Sequence, residues 1–343
     1  MGVQFLIVPQ PFAAVRGRTL VSRNEAPCCD TLFLLQSDLE SGRDVGGLLC
    51  KCLGSGSQKV KGLSCNSNLL SDLPLEQAID ALAEEGYDAV DICLEIEPPF
   101  YPIPKPHMSP DDDAAKRDRV RRHAEQAGIA IAALNAHTNL CARDPAVRQA
   151  NTDFIAGSLR LAADLGAPVV VTAGGGKDAY GYEQWFFDWI FDSLRQVLPI
   201  AERLGVSLAI EAGSPAGCLV HDIRTTKRLL EAEGLESLRL LFDCAHFYMR
   251  GDNPVEAFET FRDLIVHMHA KDATGDPENI IFPPCGEGQI DFDILLGSMA
   301  AHGFDGYIAV EYEAFAWDFP RDHKQVLARE KAFLEPLITK HWN

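Results

Sequence analysis

Val206-Ser-Leu-Ala-Ile-Glu211, Leu238-Arg-Leu-Leu-Phe-Asp243, Leu264-Ile-Val-His-Met-His269 and Tyr307-Ile-Ala-Val-Glu311 decide the fold. Each is a short apolar run that ends on a side chain able to bind a metal. Runs of this kind, bounded by turn residues and separated by helical patterns, read as buried parallel strands. The terminal residues lie 32, 26 and 42 positions apart, which suits one strand, one helix and two loops per step. A parallel barrel gathers all its strand C-termini on one rim, and its chemistry sits there. Glu211, Asp243, His269 and Glu311 are therefore expected to converge. Three carboxylates and one imidazole suit one divalent cation, Mn²⁺ first and Mg²⁺ or Co²⁺ next, better than structural zinc.

The remaining units lie upstream. Val60–Asn66 reads as a first strand, and a helix follows from the Asp72-Leu-Pro-Leu-Glu76 start to about Glu85. Asp88–Leu94 is a second strand. The loop from Glu95 to Asp113 is long and proline-rich, and its Phe100 and Tyr101 are suited either to a sugar face or to a hydrophobic plug. A helix over 114–127 stops at Gly128. Strand three, Ile129–Leu134, delivers Asn135 and His137 to the same rim. A helix over 145–165 stops at Gly166, and Pro168–Thr172 is strand four. Gly174-Gly-Gly176 with Lys177 has two readings: exposed N–H groups for a phosphate, or plain close approach of backbones. The next helix carries Trp185, Phe186, Phe187, Trp189 and Phe191 on more than one face. After strand five, Asp222–Glu233 is helical. Asn253-Pro254 opens another helix, and the last is expected over Arg321–Thr339. In strand seven, His267, His269 and Lys271 share one face at period two. Eight strand–helix units thus span 59–343, an α/β class (β/α)8 TIM barrel.

Residues 1–58 have no sustained period and close on Gly54-Ser-Gly-Ser-Gln58. They read as a poorly ordered N-terminal extension outside the barrel, or as a cap or contact between copies. A homo-oligomer stays open. The formal net charge is −19, and residues 1–58 balance five basic against five acidic side chains, so the excess lies in the barrel. Such a surface argues against the phosphate backbone of a nucleic acid and against an anionic membrane. No apolar run reaches membrane-spanning length, and the start has no basic leader region. Ten cysteines show no C-x-x-C and no regular framework, which fits reduced thiols in a cytoplasmic protein.

Ile210-Glu211, Phe242-Asp-Cys-Ala-His246, His269-Ala-Lys-Asp272, Gly286-Glu-Gly-Gln-Ile-Asp291 and Val310-Glu-Tyr-Glu313, taken in this order and at these strand ends, resemble the sugar phosphate isomerase/epimerase family of xylose isomerase-like TIM barrels. The resemblance runs from about Lys59 to the C-terminus. It implies metal ligation by Glu211, Asp243, His269 and Glu311, and substrate contact by His246 and His137. The loop Ala273–Glu278 has no arginine, which ketose 3-epimerase members usually carry there. Endonuclease IV shares the barrel, but its extra Asp-x-His is not found after strand seven.

The expected chemistry is proton transfer beside the carbonyl of a small carbohydrate, free or phosphorylated, through an enediolate. Glu211 and Glu311 would act as acid and base, His246 would hold a substrate oxygen, and Lys271 would assist at the oxyanion or simply pair with Asp272 or a rim carboxylate. Two rivals remain. The same site could expel a leaving group, as a dehydratase or lyase acting on an inosose, dehydroshikimate or keto-glycoside; Phe315, Trp317 and Phe319 suit a bulkier ligand. Or the rim could bind a sugar without turning it over. A single glutamate at a strand end is often only solvated, but four ligand-type residues at four strand ends outweigh that reading.

Overall fold

A computed structural model describes residues 59–94, 105–178, 180–215, 217–313 and 317–342. The expected extension over 1–58, with Phe100, Tyr101 and Phe315, lies outside the described residues.

Eight strands close into a parallel barrel: β1 (Gly62–Asn66), β2 (Ala89–Cys93), β3 (Ala130–Asn135), β4 (Val169–Ala173), β5 (Ser207–Glu211), β6 (Arg239–Asp243), β7 (Ile265–Ala270) and β10 (Tyr307–Val310). Their order around the wall is β1-β10-β7-β6-β5-β4-β3-β2. The helices between them are α1 (Leu75–Glu84), α2 (Ala114–Ala127), α3 (Pro145–Leu165), α4 (Glu183–Leu204), α5 (Ile223–Leu230), α6 (Cys244–Met249), α7 (Pro254–Phe261), α8 (Phe292–Ala301) and α9 (His323–Trp342). No described helix is long and apolar enough to cross a membrane.

Local signals account for most boundaries. The Asp113 and Asp144 side chains accept from backbone N–H groups of the first turns of α2 and α3, and Pro145 pre-sets the start of α3. Gly166 ends α3 at φ 75°, a conformation that a side chain would strain. Three boundaries differ from expectation. A hairpin of β8 (Thr274–Asp276) and β9 (Asn279–Ile281) interrupts the connection after β7. Helix α5 stops at Leu230 rather than Glu233, because Ala232 N–H turns back to Leu229 O and Leu235 N–H to Ala232 O. Helix α9 starts at His323 and runs to Trp342, where the indole N–H donates to Phe304 O and ties the helix end to the barrel.

The main core lies between barrel and helices; Phe186, Phe187, Phe242, Phe247, Phe258 and Phe292 are among its largest fully buried side chains. The aromatics of α4 divide accordingly: Phe186 and Phe187 are buried, while Trp185 is exposed against Tyr182. Inside the barrel a second, small cluster contains Ala133, Val169, Val171, Ala209 and Leu241. These come from β3 to β6. Facing them, β7, β1 and β2 contribute the buried polar residues His267, Ser64 and Asp91. The barrel interior is thus apolar on one side and polar on the other.

One buried carboxyl lies in the helical layer. Glu330 of α9 accepts from Cys285 N–H at 3.1 Å through Oε2, and burial pushes its pKa up to about 7. A carboxyl raised above its unfolded value contributes stability that is complete below about pH 4.5 and is lost as pH rises through about 7. Glu330→Gln is expected to keep the packing and remove this dependence. Denaturant unfolding should show the variant more stable than the parent by about 1–3 kcal/mol at pH 8, with the gap closing toward pH 4.5.

Candidate metal centre

Four neighbouring strands position the centre. Glu211 ends β5, Asp243 ends β6, His269 lies in β7, and Glu311 follows β10 with its N–H on Ala270 O. All four are buried, and each offers a donor atom within 4.8 Å of the others. His269 Nδ1 lies 3.0 Å from Glu211 Oε1 and 3.1 Å from Glu311 Oε2.

Each carboxylate is held by one oxygen and presents the other. Asp243 Oδ1 accepts from Ala245 and His246 N–H, so this residue ends a strand and caps α6 at once. Asn66 Nδ2 donates to Glu311 Oε1 at 3.1 Å, with the amide orientation set because its Oδ1 accepts from Asn68 N–H. His137 Nε2 lies 2.7 Å from Glu211 Oε2. Asp243 Oδ2 and Glu311 Oε2 remain buried without a hydrogen bond of acceptable geometry among the described residues. Lys271 Nζ approaches both oxygens, but one ammonium offsets only part of the charge of three buried carboxylates, which favours a further cation. The donor set, hard oxygens with one imidazole, fits a divalent ion of the Mn²⁺, Mg²⁺ or Co²⁺ type.

The electrostatics agree. Burial opposes the charge on His269, but Glu311 and Glu211 outweigh it and raise its pKa well above the usual imidazole range. Burial likewise acts against Glu211 and Glu311; the imidazoles beside Glu211, and His269 with Lys271 beside Glu311, hold both carboxyls well below theirs. A cluster that draws a proton this strongly draws a divalent cation for the same reason.

Lys271 is buried at the edge of the cluster. Its Nζ lies 2.6 Å from Glu311 Oε2, 3.2 Å from Asp243 Oδ2, 3.5 Å from Glu313 Oε2 and 4.8 Å from the centroid of the Phe282 ring. Burial disfavours its charge, yet the carboxylates more than restore it, and its pKa is raised. Of its two expected pairings, the rim carboxylates therefore hold and Asp272 does not. The Asp272 carboxylate is filled by four backbone N–H groups, those of Ala273, Gly286, Gly288 and Ile290. It shapes the segment that carries Phe282, whose ring packs edge-on against His246 at 5.4 Å and Trp317 at 5.1 Å.

The structure places His246 beside Asp243 at the centre. Ser214 N–H donates to its Nδ1 at 3.2 Å, so the proton of the neutral ring sits on Nε2, which is 3.6 Å from Asp243 Oδ2. Burial lowers its pKa, which favours this neutral form. The ring is thus a neutral donor beside Asp243. The triple glycine is not a phosphate cradle. Gly174 N–H donates to Glu211 O, Gly176 N–H to Asn139 Oδ1 and Lys177 N–H to Gly217 O, while Lys177 Nζ pairs with Glu183. A side chain at Gly174 would meet Val220 Cβ at 2.7 Å, so the reading as close backbone approach holds.

Sequence reasoning missed Asn66, Ser214 and Asp91. Asn66 ends β1 and obeys the same strand-end rule as the ligands. Asp91 had a signal as the one charged residue within the apolar run Ala89–Cys93. Ser214 had none, because its role depends on a loop meeting α6.

Residues 74–337 match the family model of the xylose isomerase-like TIM barrel. An inosose dehydratase of Lacticaseibacillus casei is 29% identical over 43% of this chain, and the match spans only 58% of that relative's length. An inosose isomerase of Halalkalibacterium halodurans is 26% identical over 72% of this chain and 83% of its own. Among solved structures, the IOLI protein with a bound zinc atom superimposes with a TM-score of 0.67 at 20% identity, covering 82% of this chain and 99% of its own.

Gly288→Ala tests the Asp272 anchor. A Cβ there would run into the Asp272 carboxylate and, at 2.7 Å, Ala273 O. The variant should lose about 1–3 kcal/mol in denaturant unfolding, whereas Gly128→Ala, whose Cβ meets nothing within 4 Å, should lose less.

Proposed function

Because the chain belongs to the xylose isomerase-like TIM barrel family, we propose that it is a divalent-metal-dependent isomerase or epimerase that transfers a proton beside the carbonyl of an unphosphorylated sugar or cyclitol. The observation that carries this reading is the pair Glu211 and Glu311, delivered from either side of Asp243 and His269 by strands separated by β6 and β7. Glu211, Asp243, His269 and Glu311 would hold the ion, Mn²⁺ in the first place. When bound, it supplies positive charge to a carbonyl oxygen and a neighbouring hydroxyl, and so favours the enediolate.

The residues do the rest. One glutamate removes the proton on one face of the substrate carbon, and the other returns one, which inverts the centre or moves the carbonyl. The close His137 steadies Glu211, and Asn66 steadies Glu311. His246 donates from Nε2 to a substrate oxygen. Lys271 stays charged and offsets part of the negative charge that Asp243, Glu311 and Glu313 bring together. This surplus of carboxylates, with the N–H groups of Gly174, Gly176 and Lys177 already engaged, favours a neutral substrate over a sugar phosphate.

A second reading keeps the site and changes the product. The glutamate that takes the proton could return it to a departing hydroxyl, which leaves as water while the Nε2–H of His246 hydrogen-bonds to it, and the inosose dehydratase relative favours that outcome.

The test is proton NMR in D₂O with Mn²⁺-loaded protein, quenched with chelator, on a panel of ketoses and inososes. Deuterium beside the carbonyl with the mass otherwise kept is the expected result; exchange followed by loss of water selects the second reading. Glu311→Gln should lower exchange by roughly 10²–10⁴-fold with an unchanged far-ultraviolet circular dichroism spectrum. Exchange at the parent rate would reject Glu311 as acid or base.

A further inference from the structure

Beneath the four carboxylate and imidazole donors lies a second polar layer that the proposed chemistry does not use. Ser64 of β1, Asp91 of β2 and His267 of β7 point into the barrel, and all three are fully buried or nearly so. Ser64 Oγ donates to Asp91 Oδ1 at 2.6 Å. Asp91 Oδ2 lies 2.6 Å from His267 Nε2 and 3.5 Å from His269 Nε2. The two histidine rings meet edge to face at 5.8 Å. Along the wall, β2 and β7 are separated by β1 and β10, so this contact spans the interior and is not a neighbour-strand pairing.

A buried carboxylate on a buried imidazole adds little to stability. Taking the carboxylate out of water costs more than well-packed apolar side chains of the same size, which the opposite side of this barrel uses. The pair therefore calls for another role, and His269 offers one. Its Nδ1 faces Glu211 and Glu311, and its Nε2 faces Asp91. A ring that ligates through Nδ1 must carry its proton on Nε2, and a carboxylate beside Nε2 selects that tautomer and raises the basicity of the ligating nitrogen. Ser64 and His267 in turn leave Asp91 little freedom to rotate.

We infer that Asp91, braced by Ser64 and His267, is a positioning residue of the metal centre: it orients His269 and fixes its tautomer so that Nδ1 is free to bind the ion. The inference rests on the metal-centre reading above. Asp91 is not one of the four donors Glu211, Asp243, His269 and Glu311, and His269 is the member of that set it lies beside.

The test measures metal binding, not turnover. Co²⁺ affinity is determined by competition with a fluorescent chelator for the parent protein, Asp91→Asn and Ser64→Ala, together with the d–d absorption spectrum of each Co²⁺-loaded protein. Asp91→Asn should bind roughly 10–100-fold more weakly, with an altered cobalt spectrum and unchanged circular dichroism. Ser64→Ala, which removes only the brace, should weaken binding by a smaller factor. Parent-like affinity and spectrum in Asp91→Asn would overturn the inference and leave the metal centre standing. Should Asp91→Asn not fold, Ser64→Ala decides: parent-like binding there overturns it. A parent protein that binds no Co²⁺ would remove the metal-centre reading and this inference together.

Discussion

Three carboxylates and an imidazole are packed within 4.8 Å at the ends of four neighbouring strands, and the rest of the site is arranged to make that tolerable. Like charges at that distance in a buried setting repel strongly. The Lys271 ammonium and the His269 ring are built among them, and amides or imidazoles hold the outward oxygens of Asp243, Glu211 and Glu311. The surplus negative charge that remains is what the proposed divalent ion would neutralise. Fold and chemistry meet in this constraint, because only a closed parallel barrel places four strand C-termini so close together.

The same economy appears around the cluster. Asp272 stands next to Lys271 in sequence, yet it spends both oxygens on backbone N–H groups and gives the connection after β7 its shape. That leaves Lys271 to the rim carboxylates. Phe282, carried by the same connection, closes over both Lys271 and His246. The interior divides in the same spirit, with small apolar side chains on β3 to β6 and the Ser64–Asp91–His267 layer opposite.

Much of this could be read in advance. The strand-end residues Glu211, Asp243, His269 and Glu311 follow from apolar runs of strand length that stop on a polar residue, a local pattern. Helix ends at Gly128 and Gly166 and starts at Asp113, Asp144, Asp222 and Asn253 follow from capping chemistry, which is local too. The hairpin over 274–281 escaped because two strands of three residues carry too few side chains to show a period. Helix α6 escaped because a six-residue helix set directly on Asp243 leaves no gap between two patterns.

By itself, then, the sequence determined the order of strands and helices, the closure into a barrel, and which side chains sit on the rim, since alternation, capping and strand length act within a few residues. Tertiary structure alone decided the partners. That Lys271 faces Asp243, Glu311 and Glu313 and not Asp272, that Asn66 reaches Glu311 across 245 positions, and that Asp91 meets His267 across 176 all depend on the register and curvature of the closed wall. Those are set by how all eight strands pack at once, and no single segment records them.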